Sequence, residues 1–145
     1  MSTVPSRAAW NQGVIADYRA NGRATEGHFV GRNLLLLTTK GSKTGADRTT
    51  PLAYTTDGAN LVVVASMGGA DVHPHWYTNI IAEPIVTVEL GREQFRARAT
   101  TAGSAERRRL YDQHAELHPT FVEYEQKTAR EIPVILLERL RADPS

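Results

Sequence analysis

The sequence predicts an α+β domain built around a strongly curved or barrel-like antiparallel sheet, and three observations lead to this prediction. Six runs of β-favouring residues are joined mostly by hairpin turns. Helical patterns occur at the start, in the middle and near the end of the chain, without a repeated strand–helix–strand alternation. The chain has 145 residues, 41% hydrophobic and 23% charged, which suits one globular domain and excludes a mostly disordered, collagenous or coiled-coil protein.

The N-terminal segment predicts a helix over about residues 6–21, preceded by Pro5 and ended by Gly22. Its apolar residues recur at intervals of three and four: Trp10, Val14, Ile15 and Tyr18. We therefore divide the chain into an N-terminal helical segment, residues 1–30, and a single barrel domain, residues 31–145. Covering the functional site, lying on a membrane surface and mediating self-association are all compatible with this helix.

The next three strands are predicted to be neighbours in the sheet. Two β-favouring runs, Leu34 to Thr39 and Arg48 to Thr56, flank a polar turn with two glycines and form a hairpin with a long loop. Asp57-Gly58 signals a turn, after which the apolar run Asn60 to Ser66 predicts a strand buried on both faces or nearly so. We expect three adjacent antiparallel strands.

The middle of the chain predicts a short helix followed by a hairpin. A loop over residues 67–73 leads into a helix that begins at Pro74 and ends before Glu83-Pro84. Two alternating runs, residues 85–90 and 93–100, then form a half-buried hairpin that turns at Gly91.

The C-terminal part predicts two helices and a last strand. Ser104 caps the first helix, and His118-Pro119 breaks it. Thr120 with Glu123 fits a capping box for a second helix through about Ala129. The apolar run Ile132 to Leu137 is the last strand.

Composition excludes several functional classes. Because the chain has no cysteine, it has no disulfide, thiolate metal site or cysteine nucleophile. The longest apolar run, Leu34 to Leu37, is far shorter than the roughly 20 residues of a membrane-spanning helix, and the first residues lack the apolar stretch of a signal peptide. We therefore expect a soluble, cytoplasmic protein. The net charge of +1 gives no reason to expect nucleic acid as a partner.

Positive charge collects before the middle of the chain, where it surrounds a glycine-containing loop. Residues 1–48 carry seven bases and three acids, whereas residues 49–91 carry four acids and no base. The loop Gly41 to Gly45 lacks the glycine before the lysine and the following helix of a Walker loop, which excludes nucleotide hydrolysis. Its backbone N–H groups, the hydroxyls of Ser42 and Thr44 and the charges of Lys43 and Arg48 suit a phosphate cradle. The alternative is a flexible exposed loop with incidental charges.

A second glycine motif, Ser66 to Ala70, follows the most apolar strand. Its paired glycines would let a flat ligand or its phosphate approach the backbone closely, and the alternative is a tight turn that needs positive φ. Packing alone would also explain the aromatic residues of the two nearby helices, Trp76, Tyr77, Phe121 and Tyr124. A ligand site is favoured because Lys43, the glycine turn and the Trp76 helix border the same predicted three-strand unit.

The histidines give little support for a metal site. They form two pairs, His73 with His75 and His114 with His118, but Glu116 does not occupy the glutamate position of the His-Glu-x-x-His zinc motif. We predict no metal and regard these histidines as surface or partly satisfied side chains. A Ser-His-Asp arrangement cannot be recognised from a single sequence.

Four motifs, in this order and spacing, resemble the deazaflavin-dependent nitroreductase family, whose members use coenzyme F420. They are Thr38-Thr-Lys-Gly-Ser-Lys-Thr-Gly45 with Arg48 and Pro51, Ala65-Ser-Met-Gly-Gly-Ala-Asp71, His73-Pro74 with Trp76, Tyr77 and Asn79, and Ile132-Pro-Val134. The resemblance runs from about Leu34 to Leu137. It implies a split β-barrel of the FMN-binding-like type that binds F420.

The resemblance also implies where the cofactor lies. Its phosphate and anionic tail would be held by Ser42, Lys43, Thr44, Gly45 and Arg48, with charge-assisted hydrogen bonds of ~1.5–3 kcal/mol each from the two cations. The deazaflavin ring and ribityl arm would lie along Pro51, Leu52, Ala65, Ser66, Gly68, Gly69 and Ala70. Pro74, Trp76, Tyr77 and Asn79 would close the other side. Where relatives often have a lysine in the same turn, this chain has Met67, which removes one cation.

The implied activity is an F420H2-dependent reductase that transfers a hydride from C5 of the reduced deazaflavin to a quinone, an activated enone or a nitro compound. Tyr124 is predicted as the catalytic residue, either orienting the acceptor or supplying the proton, with solvent as the other proton source. Phe121, one turn earlier, would form an apolar wall of the acceptor pocket.

Two alternatives remain open. An FMN-binding flavoprotein of the related pyridoxamine-phosphate-oxidase-like group would copurify with yellow FMN. A non-catalytic F420-binding protein would bind the cofactor without turnover. In the enzyme interpretation the partner is a small-molecule electron acceptor, the chain is a monomer or a homodimer, and the N-terminal segment allows peripheral membrane contact.

Overall fold

Seven antiparallel strands form one curled sheet in the computed structural model, which describes residues 7–27 and 29–140. The helices are α1 (Arg7–Asn21), α2 (His75–Ala82), α3 (Ser104–Leu117) and α4 (Thr120–Lys127), with a 3-10 helix at Met67–Gly69. The strands are β1 (Leu34–Lys40), β2 (Asp47–Ala53), β3 (Thr55–Asp57), β4 (Asn60–Val64), β5 (Ile85–Leu90), β6 (Glu93–Thr101) and β7 (Val134–Arg139). The α+β class with an antiparallel sheet of six or more strands is confirmed.

The strand order is β2-β1-β5-β6-β7-β4-β3. Three of the neighbouring strand pairs are joined by predicted hairpins or turns: β1 with β2, β3 with β4, and β5 with β6. In the last two, Asp57 opposes Asn60 and Leu90 opposes Glu93, so both tight turns fall where Gly58 and Gly91 were expected to place them. The remaining neighbours join strands that are far apart in the chain.

The expectation that the first three strands are adjacent is wrong. The run Arg48 to Thr56 breaks at Tyr54, so that β2 pairs with β1 whereas β3 pairs with β4. The next neighbour of β4 is β7, with Val63 opposite Ile135. Because β4 is apolar on both faces, it gains more burial between other elements than at the side of the half-exposed β2. The two hairpins therefore lie at opposite ends of the strand order.

The curl of the sheet brings those two ends back together. Buried side chains from five different strands form one cluster on the inner face, and Trp76 and Ile80 of α2 close it. The strand members of this cluster are Leu35, Leu37, Leu61, Val63, Val86, Val88, Ala97, Ala99, Ile135 and Leu137. Pro51 of β2 and Val64 of β4, near opposite ends of the strand order, line one cavity, so the inner face must be concave.

Two helices, α1 and α3, cover the two halves of the outer face of the sheet. Leu34 and Leu36 pack with Ile15 and Tyr18 of α1, and the other half of the face packs against α3. The Tyr18 hydroxyl donates to the carbonyl of Leu34 at 3.0 Å and accepts the N–H of Gly91 at 2.6 Å. Helix α1 agrees with the prediction from residue 7 onward, whereas Pro5 and residue 6 lie outside the described residues.

The predicted capping residues of the last two helices are wrong. Gly103 and Pro119 occupy the N-cap positions, and neither helix start has a side-chain cap hydrogen bond. Thr120 therefore lies one residue too late to cap, and α4 ends at Lys127 rather than about Ala129. The break between α3 and α4 at His118 and Pro119 is confirmed. Among the described helices, none combines the length and the apolar character that a membrane span requires.

Candidate functional site

A cavity of about 660 Å³ opens where the two ends of the curled sheet face each other. Its wall combines β2, the end of β4 with the 3-10 helix, the start of α2, and α4 together with His118, two residues before it. Eight of the residues predicted from the sequence line it: Pro51, Leu52, Ser66, Met67, Pro74, Trp76, Phe121 and Tyr124. Three segments that are separate in sequence thus form one site, although the three-strand unit that suggested it does not exist.

The N-terminal segment supplies a further wall, which is one of the three roles that the sequence left open for its helix. Trp10 and Asn11 of α1 line the cavity, together with Phe29 and Arg32 of the following loop. Trp10 packs on Phe29 with ring centroids 5.6 Å apart. Other residues that sequence reasoning missed are Thr50, Ala53, Val64, His75, His118 and Thr120. These residues lie next to or near predicted site residues in the chain, whereas no residue pattern in α1 decided between covering the site and its other two possible roles.

The remaining predicted residues do not line the cavity. They are Ser42, Lys43, Thr44, Gly45, Arg48, Ala65, Gly68, Gly69, Ala70, Tyr77 and Asn79. Those of the β1–β2 loop and Arg48 are exposed. Strand alternation puts Arg48 on the same face of β2 as Thr50 and Leu52, which do line the cavity. A ligand that fills the cavity and leaves along this face would reach the loop.

Asn79 holds the β1–β2 loop against α2. Its Oδ1 accepts the N–H of Ser42 at 3.0 Å, and its Nδ2 donates to Oγ1 of Thr39 at 3.0 Å. Asn79 is 5% exposed, so both bonds are shielded from water. Because α2 also carries Trp76, this amide fixes the cationic loop relative to the cavity wall.

Four backbone N–H groups of the β1–β2 loop are bonded within the protein, which removes them from the predicted phosphate cradle, whereas those of Lys43 and Thr44 have no hydrogen-bond partner among the described residues. The N–H of Gly41 donates to the carbonyl of Ala46, and that of Gly45 donates to Gly41. The N–H groups of Ser42 and Ala46 are bonded to side chains, the latter to Oγ1 of Thr44. These four donors hold the loop together and cannot also bind an anion. The loop also offers charge, because neither Lys43 nor Arg48 forms an ion pair with a described residue.

Arg130 clasps the turn that follows β4. Its guanidinium donates to the carbonyls of Ala65 at 3.2 Å, Ser66 at 2.8 Å and Ala70 at 3.0 Å. It also donates to Nδ1 of His73 at 2.8 Å, which requires the neutral form of that ring. Burial, and secondly the charge of Arg130, lower the pKa of His73 and favour this form. Sequence reasoning missed Arg130, since nothing marks it apart from its place before the Ile132-Pro-Val134 motif.

Helix α4 presses on the other side of the same turn. Gly69 has φ 83, and a Cβ there would lie 2.9 Å from the carbonyl oxygen of Tyr124 and 3.0 Å from Cβ of Lys127. The absence of a side chain at Gly69 is thus explained by α4. Met67, which lines the cavity, has φ 50 and is the one non-glycine residue with positive φ in the described part of the chain. Such a conformation is uncommon outside glycine and needs support from its surroundings.

Aromatic rings stack along α4 toward a buried histidine pair. The Phe121 ring lies 5.0 Å from Tyr124 and 4.4 Å from His114, both edge to face. Lys127 lies 5.9 Å from the Tyr124 ring. Among the described residues the Tyr124 hydroxyl has no hydrogen-bond partner, so it is available to a bound molecule.

The expectation that His114 and His118 lie on the surface is wrong. The alternative, that only some of their ring nitrogens are hydrogen-bonded, is confirmed. They are 0% and 2% exposed. Nε2 of His118 donates to the carbonyl of Tyr54 at 3.0 Å, while its Nδ1 and Nε2 of His114 have no partner in the described structure. Burial, with a smaller contribution from His118, lowers the pKa of His114 to about 3. Both rings are therefore neutral packing elements behind Phe121.

The site fits a flat anionic cofactor of the type that the resemblance implies. Pro51, Leu52 and Trp76 provide apolar surface for a ring system, and no carboxylate is present among the described lining residues. Lys43 and Arg48, which form no ion pair with a described residue, belong to the hairpin that Asn79 holds against α2, the helix that carries Trp76. A long anionic tail would meet positive charge there, and a ring would be shielded from water in the cavity.

Comparison with known proteins places these features in context. A model of the family described as F420H(2)-dependent quinone reductase matches residues 10–139. The chain is 37% identical, over 108 residues and 72% of both chains, to an F420H(2)-dependent quinone reductase of Mycobacterium tuberculosis. It is similar to a solved F420-H2 dependent reductase, with 35% identity, a TM-score of 0.68 and coverage of 78% of this chain and 100% of the other.

A second solved structure, described as a domain-swapped dimer, is 32% identical, with a TM-score of 0.69 and coverage of 92% of this chain and 100% of the other. The structural neighbours have the split β-barrel, so the predicted fold type is confirmed.

Proposed function

Since the chain belongs to the F420H(2)-dependent quinone reductase family and is an F420-dependent reductase, we propose that it transfers a hydride from reduced F420 to a quinone, an activated enone or a nitro compound. One observation carries this proposal: an apolar cavity adjoins a loop of unpaired cations, and Asn79 fixes the two relative to each other. This geometry suits a ring with a long anionic tail and a second flat molecule beside it.

We propose that the cofactor's tail is bound by Lys43 and Arg48, with the hydroxyl of Ser42 as a further donor. Four of the loop's backbone donors are already bonded within the protein, whereas the side chains of Lys43 and Arg48 form no ion pair with a described residue and are free for this role. The ring would pack on Pro51, Leu52 and Trp76, against the turn that Arg130 clasps. That turn contains the predicted residues Ala65, Ser66, Met67, Gly68, Gly69 and Ala70.

Reduced F420 supplies the hydride at C5, and the chain must supply position, dryness and a proton. Trp76, Phe121 and the Trp10–Phe29 pair surround the cavity and limit the access of water. Tyr124 is proposed to donate a hydrogen bond to the acceptor or to deliver the proton, because it lines the cavity and its hydroxyl has no hydrogen-bond partner among the described residues. Phe121 is proposed to pack on the acceptor, since His114 and Tyr124 fix its ring from two sides.

The first experiment is a fluorescence titration of the cofactor-free protein with oxidised F420 and, in parallel, with FMN. Binding of F420 at micromolar or lower concentration with weak binding of FMN is expected. A preference for FMN would favour the oxidase-like alternative, and binding without turnover of any acceptor would favour the non-catalytic one. Turnover with F420H2 carrying deuterium at C5 should show a primary kinetic isotope effect. If neither steady-state nor single-turnover rates showed this effect, hydride transfer from C5 would not be rate-limiting.

We also propose that the chain forms a homodimer, since one similar structure is described as a domain-swapped dimer. Light scattering during size-exclusion chromatography tests this directly, and a monomeric mass at all concentrations would exclude it.

Peripheral membrane contact is the remaining proposal about partners. Trp10 and Val30 are 42% and 50% exposed, in the same N-terminal segment as the exposed Arg23, a combination that suits an anionic lipid surface. Cosedimentation with vesicles of anionic lipid should show binding that neutral vesicles do not, and equal results with the two would argue against it.

A further inference from the structure

One end of the cavity combines aromatic surface with a single permanent cation. This basic end consists of Trp10, Phe29, Arg32, His118 and Phe121, all of which line the cavity. Trp10 packs on Phe29, the N–H of Arg32 donates to the carbonyl of Phe29 at 3.0 Å, and the His118 ring lies 6.1 Å from that of Phe121. Tyr54 joins the two groups, because its N–H donates to the carbonyl of Asn33, next to Arg32, at 3.1 Å and its carbonyl accepts a hydrogen bond from Nε2 of His118 at 3.0 Å. The charge of Arg32 also reaches His118, where it adds to the effect of burial in lowering the pKa of the ring.

Arg32 has no protein partner for its charge in the described part of the chain. It forms no ion pair there, whereas several other arginines are paired, for example Arg19 with Glu89 at 2.8 Å and Arg108 with Glu125 at 2.8 Å. Among the described lining residues, Arg32 is the one permanently charged group, and no acid is present to oppose it. A guanidinium without an ion-pair partner, in the same cavity wall as aromatic side chains, is suited to bind a planar anion.

We propose that the basic end is an acceptor subsite for aromatic molecules that carry a carboxylate or another anionic oxygen, which Arg32 binds. The aromatic body would pack between the Trp10–Phe29 pair and Phe121, and the anionic edge would face the guanidinium. Only the description of this ligand as an electron acceptor rests on the proposed function, since binding itself needs no turnover. A cationic aromatic molecule of the same size would be rejected.

The subsite is distinct in placement from the cations proposed for the cofactor. Lys43 and Arg48 belong to the β1–β2 hairpin, whereas Arg32 follows α1, and its neighbour Asn33 is joined to His118 through the backbone of Tyr54. The two groups of cations can therefore be tested separately by single substitutions.

Intrinsic fluorescence reports on the cavity, because both tryptophans of the chain, Trp10 and Trp76, line it. The cofactor-free protein is titrated with naphthalene-2-carboxylate and with its neutral analogue naphthalene-2-carboxamide. We expect about 10-fold tighter binding of the carboxylate, a modest preference because Arg32 is exposed. High salt should reduce this preference.

Variants assign the preference to one side chain. Arg32→Leu should bind the carboxamide as the unchanged protein does and lose the preference for the carboxylate, while Arg32→Lys should keep part of it. Arg23→Leu is the matched control, because Arg23 is an exposed arginine of the same segment that does not line the cavity. Equal affinity for the two probes in the unchanged protein, or an intact preference in Arg32→Leu, overturns the proposal.

A parallel titration with F420 separates this proposal from the proposed function. Arg32→Leu should bind F420 with unchanged affinity, and a large loss would assign Arg32 to the cofactor's tail and overturn the acceptor subsite. Failure of the unchanged protein to bind F420 would contradict the proposed function, whereas a preference for the carboxylate probe would still support an anion subsite.

Discussion

Acid should destabilise this fold through His114 more than through any exposed histidine. The ring is fully buried against His118 and Phe121, with Oγ1 of Thr55 at 3.5 Å from its Nδ1. Burial and the neighbouring His118 lower its pKa from 6.5 to about 3 in the folded protein. As the pH falls below about 6.5, the unfolded chain therefore takes up a proton at His114 that the folded chain refuses.

The magnitude follows from the two pKa values. The contribution of His114 to the free energy of unfolding is fully present above its pKa in the unfolded chain. It falls by about 1.36 kcal/mol per pH unit as the pH decreases toward its pKa in the folded protein. Between about pH 8 and about pH 5, His114 alone should remove about 2 kcal/mol from the free energy of unfolding. The pKa of His118 is also lowered by burial, so it contributes a further loss of the same sign.

Urea denaturation at the two pH values measures this effect. His114→Gln cannot take up the proton, so the difference between the unchanged protein and this variant should shrink by about 2 kcal/mol from about pH 8 to about pH 5. His75→Gln is the control, because His75 is exposed, and it should keep the pH dependence of the unchanged protein. If His114→Gln also keeps that dependence, His114 does not account for the acid sensitivity.

Four further predictions concern the cofactor and acceptor sides of the cavity. Lys43→Ala and Arg48→Ala should each weaken F420 binding about 10-fold with little change of kcat at saturation, and unchanged dissociation constants in both would refute the proposed tail site. Tyr124→Phe should lower kcat about 10-fold at unchanged F420 affinity, and full activity would remove Tyr124 from the mechanism. Arg130→Met should weaken F420 binding more than Arg130→Lys, because lysine keeps a donor for the carbonyls of the turn and methionine does not; equal F420 affinities of the two variants would contradict a role of these hydrogen bonds in shaping the site. Gly69→Ala should lower stability by at least about 1 kcal/mol, measured by thermal unfolding, because φ is positive and α4 is in contact; an unchanged midpoint would contradict this.

Local patterns predicted local structure well. The spacing of Trp10, Val14, Ile15 and Tyr18 gave α1, and the turn residues at Gly58 and Gly91 gave two hairpins. Each of these elements depends on residues within a few positions of one another, which is the range that periodicity and turn chemistry describe. The capping prediction at Thr120 failed at the same range, because Pro119 precedes it and already occupies the N-cap position.

Strand neighbours and the cavity wall depend instead on contacts between distant residues. Nothing near Val63 shows that it faces Ile135, and nothing near Ser66 shows that Arg130 binds its carbonyl at 2.8 Å. The chain is nevertheless consistent with both, since two strongly apolar strands gain burial by pairing, and a carbonyl-rich turn needs a donor with several N–H groups.

The predicted site residues meet because the sheet is curved, although the predicted three-strand unit does not exist. That unit required β2 and β4 to be neighbours in the sheet, but they lie near its opposite ends. Curling of the apolar inner face brings those ends together, so Pro51 of β2 and Val64 of β4 line one cavity without a hydrogen bond between their strands. The site therefore depends on the curvature of the sheet, and substitutions that loosen the inner core should impair cofactor binding before they unfold the protein.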